Sequence, residues 1–132
     1  MTDWQPQVNR FDRSGKGVFK KIKELIRENK LDEARQEVQG IIEKNPQFAL
    51  PHLILGNIEF RGKNYDAALE AYDLALQHNP KLAPAPLMMG MVELVEDSQD
   101  NALQHFENAL EIDSDFTAAR IQIGRLQFEE GN

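Results

Sequence analysis

Residues 53–60 read LILGNIEF, residues 87–94 read LMMGMVEL and residues 121–128 read IQIGRLQF, each stretch 34 residues after the last. Gly56, Gly90 and Gly124 share a register with Leu53/Leu87/Ile121, Leu55/Met89/Ile123, Ile58/Val92/Leu126 and Phe60/Leu94/Phe128. Downstream, Ala68/Ala102, Tyr72/Phe106, Ala75/Ala109 and Leu76/Leu110 keep the interval. A whole set of apolar and small residues recurring together marks a repeat, and this period belongs to short helix pairs stacked into a solenoid. Solenoids present a long concave face and rarely enclose a catalytic pocket, so the period already favours binding over chemistry.

Working outward, helical spacing places Val18, Ile22 and Leu25 on one face from about Lys16, flanked by Phe19 and Ile26, with Asn29 as a left-handed terminator. A second helix is predicted from Leu31 to Lys44, turning Ala34, Val38, Ile41 and Ile42 inward, and Asn45-Pro46 stops it because the residue before proline disfavours the helical region. The next pair is predicted over Ala49–Arg61 and Tyr65–His78, with Gly62 supplying the turn and Asn64 capping. The third covers Ala83–Glu96 and Gln99–Ile112, with Asp97 in the turn conformation and Ser98 as N-cap. A last helix follows over Thr117–Glu129. Gly131-Asn132 stands where a further turn would begin, so the array reads as partial, ending midway through a unit.

The small residues explain how the helices approach. Gly56 and Gly90 remove bulk from the first helix of each pair, leaving room for Tyr72 and Phe106. In the first unit the bulk moves across: Ile22 stands where glycine is expected, opposite the smaller Val38. Gly124 has no second helix after it.

The chain has 132 residues, room for one domain, and a net charge of −7. The charge is uneven, +2 over residues 1–45 and −9 over residues 46–132. The acidic majority argues against nucleic acid and anionic membranes. Lys16, Lys20, Lys21, Lys23 and Arg27 form the one basic stretch and read as a solvated helix face interleaved with Glu24 and Glu28. There is no cysteine, so neither a disulfide framework nor a cysteine-based zinc site is available. No apolar run is long enough for a membrane span, and the N-terminus lacks a signal-peptide core. A cytoplasmic location is the default. Residues 1–14, with only Trp4, Val8 and Phe11 as large apolar groups, read as a flexible tail.

His52, His78 and His105 fall at different places in their units and are not expected to converge, so no metal or catalytic base is assigned. Asp97/Asp100 and Asp113/Asp115 sit at turns and lack a calcium-loop pattern. No phosphate loop or nucleophile motif occurs. The chain is therefore expected to be no enzyme and to need no cofactor.

Leu55-Gly56, Gly62, Tyr65, Ala68, Tyr72, Ala75 and Pro80 resemble the tetratricopeptide repeat family. Met89-Gly90, Ala102, Phe106 and Ala109 carry the resemblance into the third unit, Ala34 and Pro46 into the first, and Ile123-Gly124 into the last half-unit. It departs from the family pattern at His52, Pro86 and Arg120, where an aromatic is expected, and at Glu59 and Glu93, where an aromatic or aliphatic is common. The resemblance implies an all-α, right-handed superhelix over residues 15–132, with units at about 15–48, 49–82 and 83–116 and a half-unit at 117–132. It also implies a concave groove that binds a peptide or partner protein. By position in the unit, the groove is lined by Phe19, Lys23, Ile26 and Arg27; by Leu53, Asn57, Phe60 and Arg61; by Leu87, Met91, Leu94 and Val95; and by Ile121, Arg125 and Phe128. Lys23 and Asn57 suit the carboxylate clamp of one family subset, but Pro84, Leu87 and Met88 replace its further basic groups, so that clamp is not expected. The apolar stripe and the adaptable Met88 and Met91 point instead to an apolar or amphipathic segment. The competing expectations are that half of these side chains pack between helices, that the chain is an N-terminal regulatory or scaffolding module of a larger enzyme or signalling protein, or that it self-associates through its last helix.

Overall fold

The computed structural model describes residues 16–131, which form helices only: α1 (Lys16–Arg27), α2 (Leu31–Lys44), α3 (Ala49–Arg61), α4 (Tyr65–His78), α5 (Pro84–Val95), α6 (Gln99–Ile112) and α7 (Thr117–Gly131). The expected tail at residues 1–14, with Trp4, lies outside the described residues. Each helix packs on the next in sequence, and α3 also reaches α5. Connections this short impose antiparallel neighbours. The helices thus form sequential antiparallel pairs in which α1, α3, α5 and α7 are first helices and α2, α4 and α6 are second helices.

Three apolar clusters, one per unit, run along the stack. Ile22, Leu25, Ala34 and Val38 join Ile58 in the first. Leu53, Ala68, Tyr72 and Ala75 join Ala85 and Val92 in the second, and Ala102 and Phe106 join Leu126 in the third. Every cluster borrows a residue from the next first helix, so no unit completes its core alone, as stacking repeats require. The glycine register has a direct steric cause. A Cβ on Gly56 would lie 2.5 Å from Cδ1 of Tyr72, and one on Gly90 2.7 Å from Cδ1 of Phe106, well inside carbon–carbon contact. Ile22 and Val38, both fully buried, fill the corresponding space in the first unit.

The turns inside each pair repeat as closely as the cores. Asn29, Lys63 and Asp97 have φ of 62°, 65° and 65°. The amides of Lys30, Asn64 and Ser98 reach back to the carbonyls of Leu25, Glu59 and Glu93 at 2.8 Å, closing each first helix with a Schellman motif. Asn29 and Asp97 thus terminate as expected. Gly62 does not supply the left-handed residue: its φ is −81° and Lys63 takes that role one position later. Register wins over composition, because Lys63 is the position equivalent to Asn29 and Asp97. Asn64 and Ser98 occupy N-cap positions, but neither makes a side-chain capping bond. Asn64 Nδ2 donates to Glu59 Oε1 at 2.9 Å instead.

The other turns begin at Asn45, Asn79 and Asp113, whose carbonyls accept from the amides of Phe48, Leu82 and Phe116. Asn79 and Asp113 also accept, through Oδ1, from the amide two residues on at 3.1 Å. This Asx turn explains how aspartate replaces asparagine without a following proline. The fifth helix runs Pro84–Val95, one residue shorter at each end than expected.

Candidate functional site

The residues expected to line a groove all lie on first helices. Their outward positions differ in chemistry from those of the second helices. The exposed residues of α2, α4 and α6 are Asp, Glu, Gln and Asn, with Lys44, Ala67 and His78 the departures. On α1, α3 and α5 the exposed side chains include Lys20, Lys21, Lys23, Arg27, Arg61 and Val95, with Glu24 the one exposed acid. Four of these five cations lie on α1, in a chain of net charge −7. Lys21 is engaged by Glu37 at 3.1 Å. Among the described residues, no carboxylate pairs with Lys23, Arg27, Arg61 or Arg125 within 4.0 Å.

The expected groove residues divide into three groups. Leu53 is buried in the second cluster, beside Ala68 and Tyr72, and is removed from any exposed stripe. Asn57 is half-buried and accepts the Tyr72 hydroxyl proton through Oδ1 at 2.6 Å. Ile26, Phe60, Leu87, Met91 and Leu94 pack part of their surface on the clusters and present the remainder, as does Phe19. Phe60 meets the Tyr65 ring edge-on at 6.0 Å, and Phe19 meets Phe48 at 6.4 Å. Lys23, Arg27, Arg61, Val95, Ile121, Arg125 and Phe128 are exposed. Val95, at 53% exposure, is the most exposed large hydrophobic side chain of α5. Ile121 and Phe128 lie on the side of α7 away from buried Ala119 and Leu126.

Two departures from the repeat pattern prove to be paired. Glu59 takes Arg35 across the junction between α2 and α3, Nε to Oε2 and Nη2 to Oε1, both at 3.0 Å. Arg35 also donates to Asp32 at 2.8 Å. The side chains of Arg35 and Glu59 are 24% and 12% exposed, so this forked pair is largely withdrawn from water. The hydrogen bonds from Arg35 hold the Glu59 carboxyl below the usual carboxylate range and raise the guanidinium in turn. Glu93, in the next unit, stands 3.6 Å from His105 Nε2. Burial also pushes the Tyr72 phenol up, so it serves as a fixed hydrogen-bond donor.

The histidines are not all apart as expected. His52 and His78 stack at 5.3 Å with planes 21° apart, and buried His52 donates from Nε2 to the Pro46 carbonyl at 2.9 Å. The His52 ring fills the position where an aromatic was expected, with His78 as its lid. Among the described residues no group of three His, Asp or Glu side chains gathers to hold a metal. None of their helices is long and apolar enough to cross a membrane.

A stack of antiparallel helix pairs, built on a 34-residue register, defines the class: a helical-repeat solenoid. The chain belongs to the tetratricopeptide repeat family, whose model matches residues 19–84. No curated protein matches the sequence. Among solved structures, the chain is similar to the first repeat domain of Spaghetti (RPAP3) bound to the HSP90 peptide SRMEEVD, at 17% identity and TM-score 0.77, over 87% of this chain and 91% of that one. It is also similar to the Yersinia enterocolitica type III secretion chaperone SycD in complex with a peptide of the translocator YopD. That match has 14% identity and TM-score 0.78, over 89% and 95% of the two chains. MamA matches at 22% identity and TM-score 0.76, over 96% of this chain and 74% of that one. At these identities the likeness shows the shared fold.

Proposed function

We propose that the protein is a non-catalytic interaction module that holds an apolar or amphipathic segment of another protein along the inner faces of its first helices. One observation carries the proposal: the exposed side chains of α1, α3 and α5 are mostly basic or apolar, while those of α2, α4 and α6 are mostly acids and amides. Leu87, Met91 and Leu94 give a half-buried apolar floor beside exposed Val95, and Lys23, Arg27 and Arg61 lie on the helices leading to it. The segment such a face favours has large apolar residues for that floor and acidic residues toward α1 and α3, where its charge meets cations that have no ion-pair partner among the described residues. Structural neighbours with peptides bound, the HSP90 peptide on RPAP3 and the YopD peptide on SycD, support this use of the fold.

The test is to select binders to the intact chain from a displayed library of random peptides, then rebind them to Val95→Glu and Arg61→Glu variants. Both residues are exposed, so helicity should be unchanged. Enrichment of acidic-apolar peptides that lose affinity for both variants supports the proposal. Peptides that bind both variants as well as the parent chain would overturn it.

A further inference from the structure

Helix α7 is apolar on two opposite sides. Buried Leu126, with Ile123, holds it to the third cluster, and Ala119 is buried on the same side. On its far side Ile121, Gly124, Arg125 and Phe128 follow at i, i+3, i+4 and i+7, the spacing of a single helix face. Ile121 is 49% exposed and Phe128 73%. Gly124 is the register partner of Gly56 and Gly90, each of which receives an aromatic ring from an antiparallel helix. A Cβ on Gly124 would meet nothing within 4 Å. The face is therefore an open ring socket, with an exposed phenyl ring one turn further along the same helix.

We propose that this face pairs with the same face of a second copy of the chain. In an antiparallel, two-fold related pair of α7 helices centred level with residue 126, Phe128 of each copy lies opposite Gly124 of the other. Each socket then receives the kind of ring that Gly56 and Gly90 receive within the chain. The charges agree with this register. Arg125 and Glu129 sit on the same flank of the face, and antiparallel pairing sets Arg125 of one copy about 3 Å along the axis from the level of Glu129 of the other. Both are exposed, and neither has an ion-pair partner among the described residues. An isologous contact needs such self-complementarity, a socket and a plug with opposite charges on one patch. A single helix face falls at the small end of protein interfaces, so the dimer should be weak and concentration-dependent. It does not rest on the proposed inner-face binding, because Gly124 and Phe128 serve here as a contact between copies.

Sedimentation equilibrium of the full chain, from about 10 μM to about 1 mM, tests it. The expected result is a reversible rise from 15.1 kDa toward twice that mass. Phe128→Glu and Gly124→Leu should each weaken dimerisation at least tenfold while leaving helicity unchanged, since Phe128 is exposed and a Cβ at Gly124 meets nothing. Arg125→Glu should weaken it, and the double variant with Glu129→Arg should restore it, a rescue specific to the antiparallel register. Val95→Glu should leave dimerisation unchanged. A chain that stays monomeric throughout overturns the proposal, as does a dimer indifferent to Phe128→Glu and Gly124→Leu or one abolished by Val95→Glu.

Discussion

Replacing each register glycine with alanine separates packing from backbone preference. Alanine in a helix is favoured over glycine by about 0.5–1 kcal/mol, and that gain applies at all three sites. At Gly124 nothing opposes it, because the added carbon meets open space. At Gly56 the added carbon lies 2.5 Å from Cδ1 of Tyr72, where about 3.5 Å is needed. The ring would have to move by roughly 1 Å, yet it is fully buried and its hydroxyl is fixed on Asn57 at 2.6 Å. Such overpacking costs about 1–3 kcal/mol, which outweighs the helical gain. Gly124→Ala should therefore stabilise the chain and Gly56→Ala destabilise it, about 1–3 kcal/mol apart. For a chain of this length that corresponds to roughly 3–12 °C in Tm. Gly90→Ala should resemble Gly56→Ala, because its added carbon meets the Phe106 ring at 2.7 Å from Cδ1. Thermal and urea unfolding followed by circular dichroism, at concentrations that keep the chain monomeric, measures the difference. If Gly56→Ala raised Tm as much as Gly124→Ala, the steric account of the repeat would be refuted.

Four further predictions concern the polar contacts and turns. Tyr72→Phe should cost about 1 kcal/mol by stranding the Asn57 amide, and adding Asn57→Met should recover most of it, a non-additivity read by a double-mutant cycle. Arg35→Ala should cost about 2 kcal/mol by leaving a mostly buried carboxylate with only Asn64, and Arg35→Met with Glu59→Leu should regain it in urea melts. Because the Glu59 carboxyl is lowered in the fold, the stability it contributes is present above the ordinary carboxylate range and lost as pH falls through and below it. Glu59→Gln should therefore flatten the acid limb of the stability profile between about pH 5 and pH 3. Lys63→Gly should raise stability by up to about 1 kcal/mol in thermal unfolding, since Lys63 holds φ 65°.

The helices were legible because one signal returns every 34 residues, and the glycine–aromatic pairs because a small residue and a large one alternate in register. The Gly62 expectation failed through trust in residue type: glycine lies one position before the turn residue, and only comparison of Asn29, Lys63 and Asp97 places it. The proposed inner face was legible as positions but not as exposure. Whether Leu53 is covered depends on how closely α5 approaches α3, and helical spacing within one segment does not encode that distance. Pairing between helices was hidden for the same reason, so Arg35 with Glu59 and His52 with His78 emerge only from the fold. Asn57 with Tyr72 did leave a trace. The next unit changes both members together, to Met91 and Phe106, exchanging a hydrogen-bonded pair for an apolar one. A paired change at one interval is a readable sign of contact.

The central claim is that the first helices, and not the second, receive the partner. Amide hydrogen exchange of the intact chain, with and without a peptide selected against it, tests this most directly. The account predicts slowed exchange confined to α1, α3 and α5, strongest around Arg61 and Leu87–Val95. Protection centred on the acidic faces of α2, α4 and α6 would contradict it.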